Sequence, residues 1–398
     1  MTVAGAGSGS ETHLTPEVKN EIENSDLIFA ASRFKNLIPD YKKFIELKNF
    51  NDVFKLINES HGRILILVSG DSGLYSLLPL VKKNLPYINM KILPGISSLQ
   101  LICSYACETW NDAKILSGHG RFLSVGRFLN IVERNRILIL FCDKNFSPQW
   151  ACQNLISIDD VEVFIGENLG SPDEKYSHGK PCDFAGKTFS ELSIMLIKNN
   201  TVYVPKKFLR DSEFIRDKNI VMTNENVRAV ILSKFDFNNN SVFWDIGAGS
   251  GSVSVCVANE NPDIEVHSIE HKIDAVNLIS QNISKFHLHN INLHHGRASE
   301  IIKSLPIPTD IFIGGSGGEL KLILDYVKNL NAKIKIVIAC VTLENFCAAY
   351  EFVKDFQNFE CVQVSITLSK NINSKLTLMN AKNPVMILCG ISPLRLTS

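Results

Sequence analysis

The stretch WDIGAGSGSVS, residues 244–254, contains the most informative turn of the sequence. An apolar run ends at Asp245 and passes into three glycines at alternate positions, Gly247, Gly249 and Gly251, before sequence that is compatible with a helix. Glycines at a strand-to-helix turn let the backbone approach a ligand closely and bring the N-terminus of the helix toward it. The stretch therefore predicts an α/β domain that holds a nucleotide-like cofactor at this turn.

An acidic residue follows at the end of the next predicted strand. Glu270 can accept hydrogen bonds from both hydroxyls of a ribose, and this raises the weight of the glycine pattern, which is weak evidence by itself. Sites for nicotinamide dinucleotides also combine a glycine-rich turn with a carboxylate that binds the ribose hydroxyls. An acidic residue just before the glycines, here Asp245, is more typical of methyltransferases that use S-adenosylmethionine (SAM), whose cofactor has no pyrophosphate for the helix dipole to bind.

Working outward, short β-rich runs alternate with helical stretches in both halves of the chain, which is the signature of α/β domains. A stretch near residues 199–212 has neither the helical nor the strand periodicity, which predicts a linker. We therefore predict a first domain at 1–199, a linker at 200–212 and a second domain at 213–398. The last two runs have little helix between them and predict an antiparallel hairpin that closes the second sheet. The runs lie at 1–7, 26–32, 63–70, 90–95, 136–143 and 161–168, then at 241–251, 265–271, 291–298, 309–318, 335–342, 361–368 and 384–389.

The composition excludes several classes of protein. With 398 residues, 45% hydrophobic and 21% charged, the chain can bury a substantial core and is not mainly disordered. Its 41 basic and 41 acidic residues provide no global field that would hold nucleic acid or an anionic membrane. No apolar run is long enough to span a membrane and no signal peptide is recognisable, so we expect a cytosolic protein.

The cysteines and histidines predict no metal site. The ten cysteines are scattered without a CxxC pair and are expected to be reduced. Four histidines crowd residues 287–295, but no Cys, Asp or Glu accompanies them within that stretch. A polar loop that leads into a strand is the preferred interpretation.

Five motifs follow one another in the second half: residues 211–235, WDIGAGSGSVS, IFIGGSGGEL at 311–320, VTLEN at 341–345 and NPVMILCG at 383–390. On these motifs, of which GGSGG is the most specific, the second half closely resembles the decarboxylating precorrin methyltransferases of cobalamin biosynthesis. The family has an acidic residue where this chain has Arg297. The resemblance implies a class I Rossmann-like domain with a SAM site made by Thr223, Gly247, Ala248, Gly249, Ser250, Gly251, Glu270 and Ala298.

Glycine-containing turns accompany three predicted strands of the first half, in VAGAGSGSETHLT at 3–15, SGDSGLYS at 69–76 and PGISSLQ at 94–100. In this order they resemble the tetrapyrrole methylase fold, in which two α/β subdomains enclose SAM in a cleft. SGHGR at 117–121 is similar to the members that methylate carbon 5. The resemblance implies cofactor contacts at Gly7, Asp71 and Gly73, and a role for Arg121 toward the substrate. Ser8 and Ser72 stand where relatives commonly have proline.

A fusion of these two domains is similar to the bifunctional enzymes of corrin-ring synthesis. The resemblance implies SAM-dependent methylation of precorrin-6Y or 6B at carbons 5 and 15 and decarboxylation of the ring C acetate, which gives precorrin-8X. Gly315, Ser316 and Gly317 can present backbone N–H groups to a substrate carboxylate. Glu344 and Asn345 follow a strand that should end on the cofactor side, where they could orient the macrocycle or manage a proton, with helix N-capping as the rival interpretation. Further candidates for carboxylate partners are Arg216, Lys218 and Arg228.

Two other readings stay open. A nucleic-acid methyltransferase could share the second domain, but basic and acidic residues are nearly balanced after residue 200, without the basic stripe that phosphate binding favours. Alternatively, one domain has decayed to a scaffold and a single activity remains. By analogy with relatives of both domains, a homo-oligomer is expected; the sequence predicts neither a nucleic-acid nor a membrane partner.

Overall fold

The computed structural model describes residues 1–48, 50–118, 124–238, 241–372 and 377–393. The chain forms two compact units. The first unit consists of Met1–Leu123 and Asn135–Val202, and the second of Ser124–Arg134 and Tyr203–Ser398. Both are mixed α/β structures, which confirms the predicted fold class; the domain boundaries proposed from the sequence stay a prediction.

Two five-stranded sheets form the first unit. One sheet is entirely parallel, in the order β3-β2-β4-β1-β5, and the other is mixed, in the order β6-β7-β10-β8-β9. In the mixed sheet only the β6–β7 pair is parallel. The strands are β1 Thr2–Gly5, β2 Leu27–Ala30, β3 Lys43–Glu46, β4 Ile64–Val68, β5 Lys91–Leu93, β6 Lys114–Ser117, β7 Ile137–Phe141, β8 Val161–Glu167, β9 Lys175–Gly179 and β10 Ser193–Asn199.

Polar capping residues mark the N-termini of several helices in the first half. The Thr15 and Ser147 side chains cap helices that each start with a proline, and Ser97 forms a capping box with Gln100. These polar caps satisfy backbone N–H groups that a helix leaves free at its start. The helices are α1 Pro16–Asn24, α2 Phe50–Glu59, α3 Leu78–Asn84, α4 Ser98–Tyr105, α5 Val125–Arg134 and α6 Pro148–Leu155.

Helix α5 lies in the first half of the sequence but belongs to the second unit. Arg127 Nε is 2.8 Å from Asp263 Oδ1, and Arg134 donates to the carbonyl oxygen of Asn259 at 3.0 Å. The side-chain oxygen of Asn130 accepts from the backbone N–H of His289 at 3.0 Å. Helix α5 is therefore bound to the second unit by side-chain as well as backbone groups.

A seven-stranded sheet forms the centre of the second unit. Five adjacent strands are parallel, and the sheet is completed by an antiparallel strand and its partner in the order β13-β12-β11-β14-β15-β19-β16. Buried apolar clusters lie on the sheet's two faces, one around Phe243 and Val266 and the other around Trp244 and Ile311. The strands are β11 Val242–Ile246, β12 Glu265–Glu270, β13 Ile291–His295, β14 Asp310–Ile313, β15 Lys335–Cys340, β16 Gln357–Val364, β17 Thr367–Asn371, β18 Thr377–Ala381 and β19 Val385–Ile391.

The predicted antiparallel pairing at the end of the second sheet is confirmed. Strands β16 and β19 pair antiparallel, with Leu388 opposite Cys361. A separate two-stranded hairpin, β17–β18, lies between them in the chain and was not predicted. Its residues are exposed, so they lack the apolar alternation that marks a strand packed on a core. The helices of this part are α7 Glu225–Leu232, α8 Ser252–Glu260, α9 Ile273–Lys285, α10 Ala298–Ile301, α11 Leu320–Asn329 and α12 Leu343–Val353.

The four crowded histidines contact three different groups, and His295 Nε2 lies 3.2 Å from the carbonyl oxygen of His271. His287 and His289 lie 3.5 and 3.2 Å from the carboxylate of Glu133, and His294 lies 3.0 Å from His267, ring nitrogen to ring nitrogen. Burial lowers the pKa of His267 to about 4, and that of His294 is also lowered. Within the described ranges, no group of three or more His, Cys, Asp or Glu side chains could hold a metal ion. No helix among those described is long and apolar enough to cross a membrane.

Candidate functional site

The glycine turn of the second unit has a backbone that other residues adopt only with strain. Gly247, Gly249 and Gly251 have φ angles of +72°, +58° and +74°. A Cβ atom on Gly247 would lie 2.1 Å from the carbonyl oxygen of Gly315, and one on Gly249 would lie 2.6 Å from that of Val221. The turn therefore packs backbone against backbone with the GGSGG segment on one side and the segment before α7 on the other.

Glu270 binds this turn from the end of β12. Its buried carboxylate accepts a hydrogen bond from the N–H of Gly249 at 2.9 Å, and its other oxygen accepts from the N–H groups of His271 and Lys272 at 2.8 and 2.9 Å. The predicted neighbourhood of the acid and the glycine turn is therefore present. The same contacts show a second role that the sequence did not indicate, because the carboxylate holds the turn in place.

A cavity of about 360 Å³ lies above the turn. Ser250 and Gly251 do not line it, because Ser250 is buried and Gly251 caps the start of α8. The sequence missed several wall residues, among them Val221, His271 and Glu319. The predicted residues that line the cavity are Thr223, Gly247, Ala248, Gly249, Glu270, Ala298, Gly315, Ser316 and Gly317.

Arg297, the residue that departs from the family pattern, is paired across this cavity's wall. Its guanidinium lies 2.7 Å from the carboxylate of Glu319, which also accepts from the Ser299 hydroxyl at 2.9 Å. The pair holds the pKa of Glu319 below its usual range. An acidic group is thus present at this wall, although it comes from the residue after GGSGG rather than from the position before Ala298.

Asp245 lies behind the turn and is completely buried. One carboxylate oxygen accepts from the backbone N–H and the hydroxyl of Ser254 at 2.9 and 2.5 Å, and the other has no hydrogen-bond partner among the residues that the structure describes. Burial raises the pKa of Asp245 from 3.8 to about 6, against the lowering effect of the Ser254 hydrogen bonds. Its charge is therefore a cost to the folded second unit at neutral pH.

Asp245→Asn should remove a pH dependence of the second unit's stability. Because the folded pKa is raised, the folded state binds more protons than the unfolded state between about pH 4 and 6, and stability falls as pH rises through that window. The difference corresponds to up to about 3 kcal/mol above pH 6. Peptide-resolved hydrogen exchange in denaturant at pH 5 and pH 8 measures about half of this difference, because only the part of the window above pH 5 is sampled. Asp325→Asn, an exposed change on α11, is the control, and an equal pH dependence in both variants would contradict the expectation.

Arg228, a predicted candidate partner of a substrate carboxylate, is a buried structural cation. Its side chain is 2% exposed and lies 3.1 Å from the carboxylate of Asp211. It also donates to the carbonyl oxygens of Thr223 and Leu209, both at 2.7 Å. All of these partners belong to the protein, so Arg228 is used to hold the Thr223 backbone rather than to bind a substrate carboxylate.

The other predicted side chains of the second unit lie apart from this cavity's lining. Arg216 and Lys218 are exposed. Glu344 and Asn345 are exposed in the first turn of α12, just beyond Val341, which does line the cavity. Thr342 is the N-cap, accepting from the Asn345 N–H at 3.3 Å, so neither Glu344 nor Asn345 caps the helix. The catalytic roles of these two residues stay predictions.

Three glycine-containing loops meet in the first unit, at the ends of β1, β4 and β5. A Cβ atom on Gly5 would lie 2.5 Å from the carbonyl oxygen of Gly70 and 2.7 Å from the nitrogen of Gly95. Gly7 and Gly70 exchange backbone hydrogen bonds of 2.8 and 3.2 Å. The three motifs that stand far apart in the sequence therefore form one loop cluster at the carboxyl edge of the parallel sheet, where ligands bind in such folds.

Asp71 connects two of these loops. One carboxylate oxygen accepts from the N–H of Gly73 at 2.8 Å and the other from the N–H of Gly95 at 3.0 Å. The serines at the family's proline positions are also bonded, Ser72 to the carbonyl oxygen of Leu93 and Ser8 to His13. These hydrogen bonds stabilise the two turns, which here lack the rigid ring of proline.

A cavity of about 870 Å³ opens beside the loop cluster within the first unit. Gly7, Ser97 and Ser98 line it, whereas Asp71 and Gly73 do not. Arg33 lines it as well, although no sequence motif indicated this residue. Arg121, the predicted substrate residue, lies outside the described residues.

Two known protein families match this chain. The family described as "Precorrin methyltransferase domain" matches residues 212–389, and the family described as "Tetrapyrrole (Corrin/Porphyrin) Methylases" matches residues 1–181. A probable cobalt-precorrin-6B C(15)-methyltransferase (decarboxylating) of Methanococcus maripaludis is 33% identical over 184 residues, which are 45% of this chain and 97% of that relative. The chain belongs to the precorrin methyltransferase family. The family that the motifs predicted is therefore confirmed.

Another precorrin methyltransferase matches most of both halves. The precorrin-6Y C(5,15)-methyltransferase [decarboxylating] of a Sinorhizobium species is 24% identical over 355 residues, covering 86% of this chain and 85% of that relative. Among solved structures, a precorrin-6Y C5,15-methyltransferase from Geobacter metallireducens covers 47% of this chain and 98% of its own at 33% identity, with a TM-score of 0.42.

Proposed function

We propose that this precorrin methyltransferase is a bifunctional enzyme of cobalamin biosynthesis that uses SAM. Its substrate would be precorrin-6Y or 6B, methylated at carbon 5 by the first unit and at carbon 15 by the second, with loss of the ring C acetate carboxyl to give precorrin-8X. The observation that carries the proposal is that one chain, similar over 86% of its length to a C(5,15)-methyltransferase, has a glycine-lined cavity in each unit.

The cavity of the second unit fits the predicted cofactor. Gly247 and Gly249 leave open backbone where side chains would collide, and the carboxylate of Glu270 lies at the wall with both oxygens already oriented by backbone N–H groups. A carboxylate fixed in this way can still accept from ribose hydroxyls, because each oxygen has more than one acceptor direction. Bound SAM would supply a methyl group on a sulfonium, which is an activated electrophile.

Positioning accounts for the chemistry that these residues support. A reduced tetrapyrrole has nucleophilic carbons, so holding it in line with the methyl group supplies much of the rate without a strong base. The backbone of Gly315, Ser316 and Gly317 lies at the wall beside the turn. The N–H of Gly315 already donates to the carbonyl oxygen of Ile246 at 3.4 Å, and those of Ser316 and Gly317 can donate to a substrate carboxylate. Loss of that carboxyl is aided where water is excluded, and the conjugated ring of the substrate takes up the electron pair.

In the first unit, the loop cluster and the larger cavity serve the methylation at carbon 5. Gly7 would lie against the cofactor, while Asp71 and Gly73 would act by holding the loops in their mutual contact. Arg121 stays a predicted partner of a substrate carboxylate. A cytosolic location and a homo-oligomeric state stay predictions as well.

Mass spectrometry of the product tests the proposal. The full chain, incubated with SAM and the candidate macrocycle, should add two methyl groups and remove one carbon dioxide, and each change is visible separately. A product with one added methyl group would support the single-activity alternative, in which one unit has decayed. Methylation of nucleic acid in place of the macrocycle would contradict the proposal altogether.

A further inference from the structure

Arg33 is the only cation among the described residues that line the cavity of the first unit. It lies in a short 3-10 helix, Ser32–Leu37, that follows β2. The wall of this cavity also contains glycine, serine and asparagine residues, apolar side chains such as Tyr75 and Phe141, and two acids. A guanidinium in such a wall is the strongest available partner for an anionic group that enters the cavity.

No carboxylate of the described residues pairs with Arg33. It contacts two neutral groups: Nη2 donates to the Ser69 hydroxyl at 2.5 Å, and the guanidinium carbon lies 4.7 Å from the ring centroid of Phe34. Two acids, Glu11 and Glu191, line the same cavity, but neither is within ion-pair distance of Arg33, and Glu11 pairs instead with Lys19. The side chain stays open to solvent, while the atoms around it exclude enough water to lower its pKa.

The contact with Ser69 places the guanidinium beside the loop cluster at the carboxyl edge of the parallel sheet. Ser69 directly precedes Gly70, whose backbone is hydrogen-bonded to Gly7. An anion bound to Arg33 would therefore be held close to the glycine cluster. Most polar surface residues can rotate away from such a position, but this hydrogen bond and the contact with Phe34 limit the orientation of the guanidinium.

The geometry points to Arg33 as a residue that binds a carboxylate side chain of the macrocycle and positions the ring for methyl transfer at carbon 5. This inference rests on the proposed function and adds to it a substrate-binding residue of the first site. The acetate and propionate groups of a precorrin are planar carboxylates, which the fork of a guanidinium can bind through two parallel hydrogen bonds. Free Nη and Nε donors remain on Arg33 because Ser69 takes only one.

Arg33→Gln tests the inference in the full chain. Removing the charge should lower kcat/KM for methylation at carbon 5 by about 30-fold, mainly through KM, because a charge-assisted hydrogen bond to the substrate is lost. The affinity of the first site for S-adenosylhomocysteine, measured by calorimetry, should stay within about 2-fold. The kcat/KM of Arg33→Lys should lie between those of the wild type and Arg33→Gln, since lysine keeps the charge but lacks the planar fork of the guanidinium.

Two matched variants separate substrate binding from other roles. Lys35→Gln removes a cation from the same 3-10 helix, but Lys35 is paired with Asp40 and does not line the cavity, so its kcat/KM should match the wild type. Ser69→Ala removes the hydroxyl partner and leaves the charge, so it should cost less than Arg33→Gln. If the role of Arg33 were to connect the loops, Ser69→Ala would reproduce the whole loss, and the inference would be wrong.

The wild-type product distinguishes the possible failures. If the wild type adds no methyl group at carbon 5, the proposed function of the first unit is refuted. If it does and Arg33→Gln adds the group with unchanged KM, the proposed function stands and the inference about Arg33 is overturned. Loss of S-adenosylhomocysteine binding in Arg33→Gln would also overturn it, and if that variant does not fold, an unchanged KM in Arg33→Lys would do so.

Discussion

Replacing Gly247 with alanine is expected to remove cofactor binding from the second unit. The added Cβ would lie 2.1 Å from the backbone oxygen of Gly315, a contact that no side-chain rotation can relieve, and the residue would have to keep a φ of +72°. Overpacking and left-handed strain together cost about 3 kcal/mol, which corresponds to a loss of roughly 100-fold in affinity when the turn moves away from its partner.

The measurement is calorimetry of the full chain with S-adenosylhomocysteine, followed by product analysis. The wild type is expected to show two binding events and Gly247→Ala one, and the variant's product should lack both the methyl group at carbon 15 and the decarboxylation. Gly318→Ala is the matched control, because Gly318 has a φ of +88° but nothing within 4 Å of its Cβ position. Equal losses in the two variants would show that strain, rather than the close approach to Gly315, limits the site.

Replacing Arg228 with leucine should destabilise the second unit by about 4 kcal/mol. The substitution leaves the Asp211 carboxylate without its buried partner and two carbonyl oxygens, those of Leu209 and Thr223, without a donor. Breaking a buried pair by removing one member costs roughly 3–5 kcal/mol. Because Thr223 lines the cofactor cavity, binding in the second unit should weaken along with stability.

Denaturant unfolding followed by hydrogen exchange measures this change in the second unit. Arg216→Leu is the control for stability, since it removes an exposed cation from the same segment and should change the free energy of unfolding by less than about 0.5 kcal/mol. A double variant, Asp211→Asn with Arg228→Leu, should recover part of the loss because the unpaired buried charge is gone. Equal stability of Arg228→Leu and Arg216→Leu would contradict the buried role of Arg228.

Local sequence patterns predicted the strands that face a core on both sides. Strand β4 is an unbroken apolar run with every residue buried, and β11 ends directly in the glycine turn. The missed strands β3, β6 and β9 form sheet edges, are partly exposed and take their stability from backbone hydrogen bonds to a neighbour. The edge strands β5 and β13 were nevertheless predicted, because each lies in a run that contains a glycine at or near its end. The central strand β10 was missed although it is mostly apolar and buried.

The residues of the candidate sites likewise divide into those that the sequence predicted and those that it did not. Glycines placed directly after strands predicted both turns, because the need for an open backbone is a property of the residue itself. The roles of charged residues could not be read in this way. Arg228 pairs with Asp211, 17 residues away, and Arg33 and Ser69, 36 residues apart, meet only when β2 and β4 pair.

The amino-acid sequence by itself determined that the chain folds into α/β units, where its glycine turns lie and to which family it belongs, since these depend on short-range backbone requirements and on motifs in a fixed order. Only the tertiary structure decided that Glu270 holds its own glycine turn, that Arg228 is buried and that Arg33 reaches the first cavity. The physical reason is that burial and charge pairing are set by residues brought together from distant parts of the chain, and the energy of a charged side chain depends on those neighbours far more than on its own type.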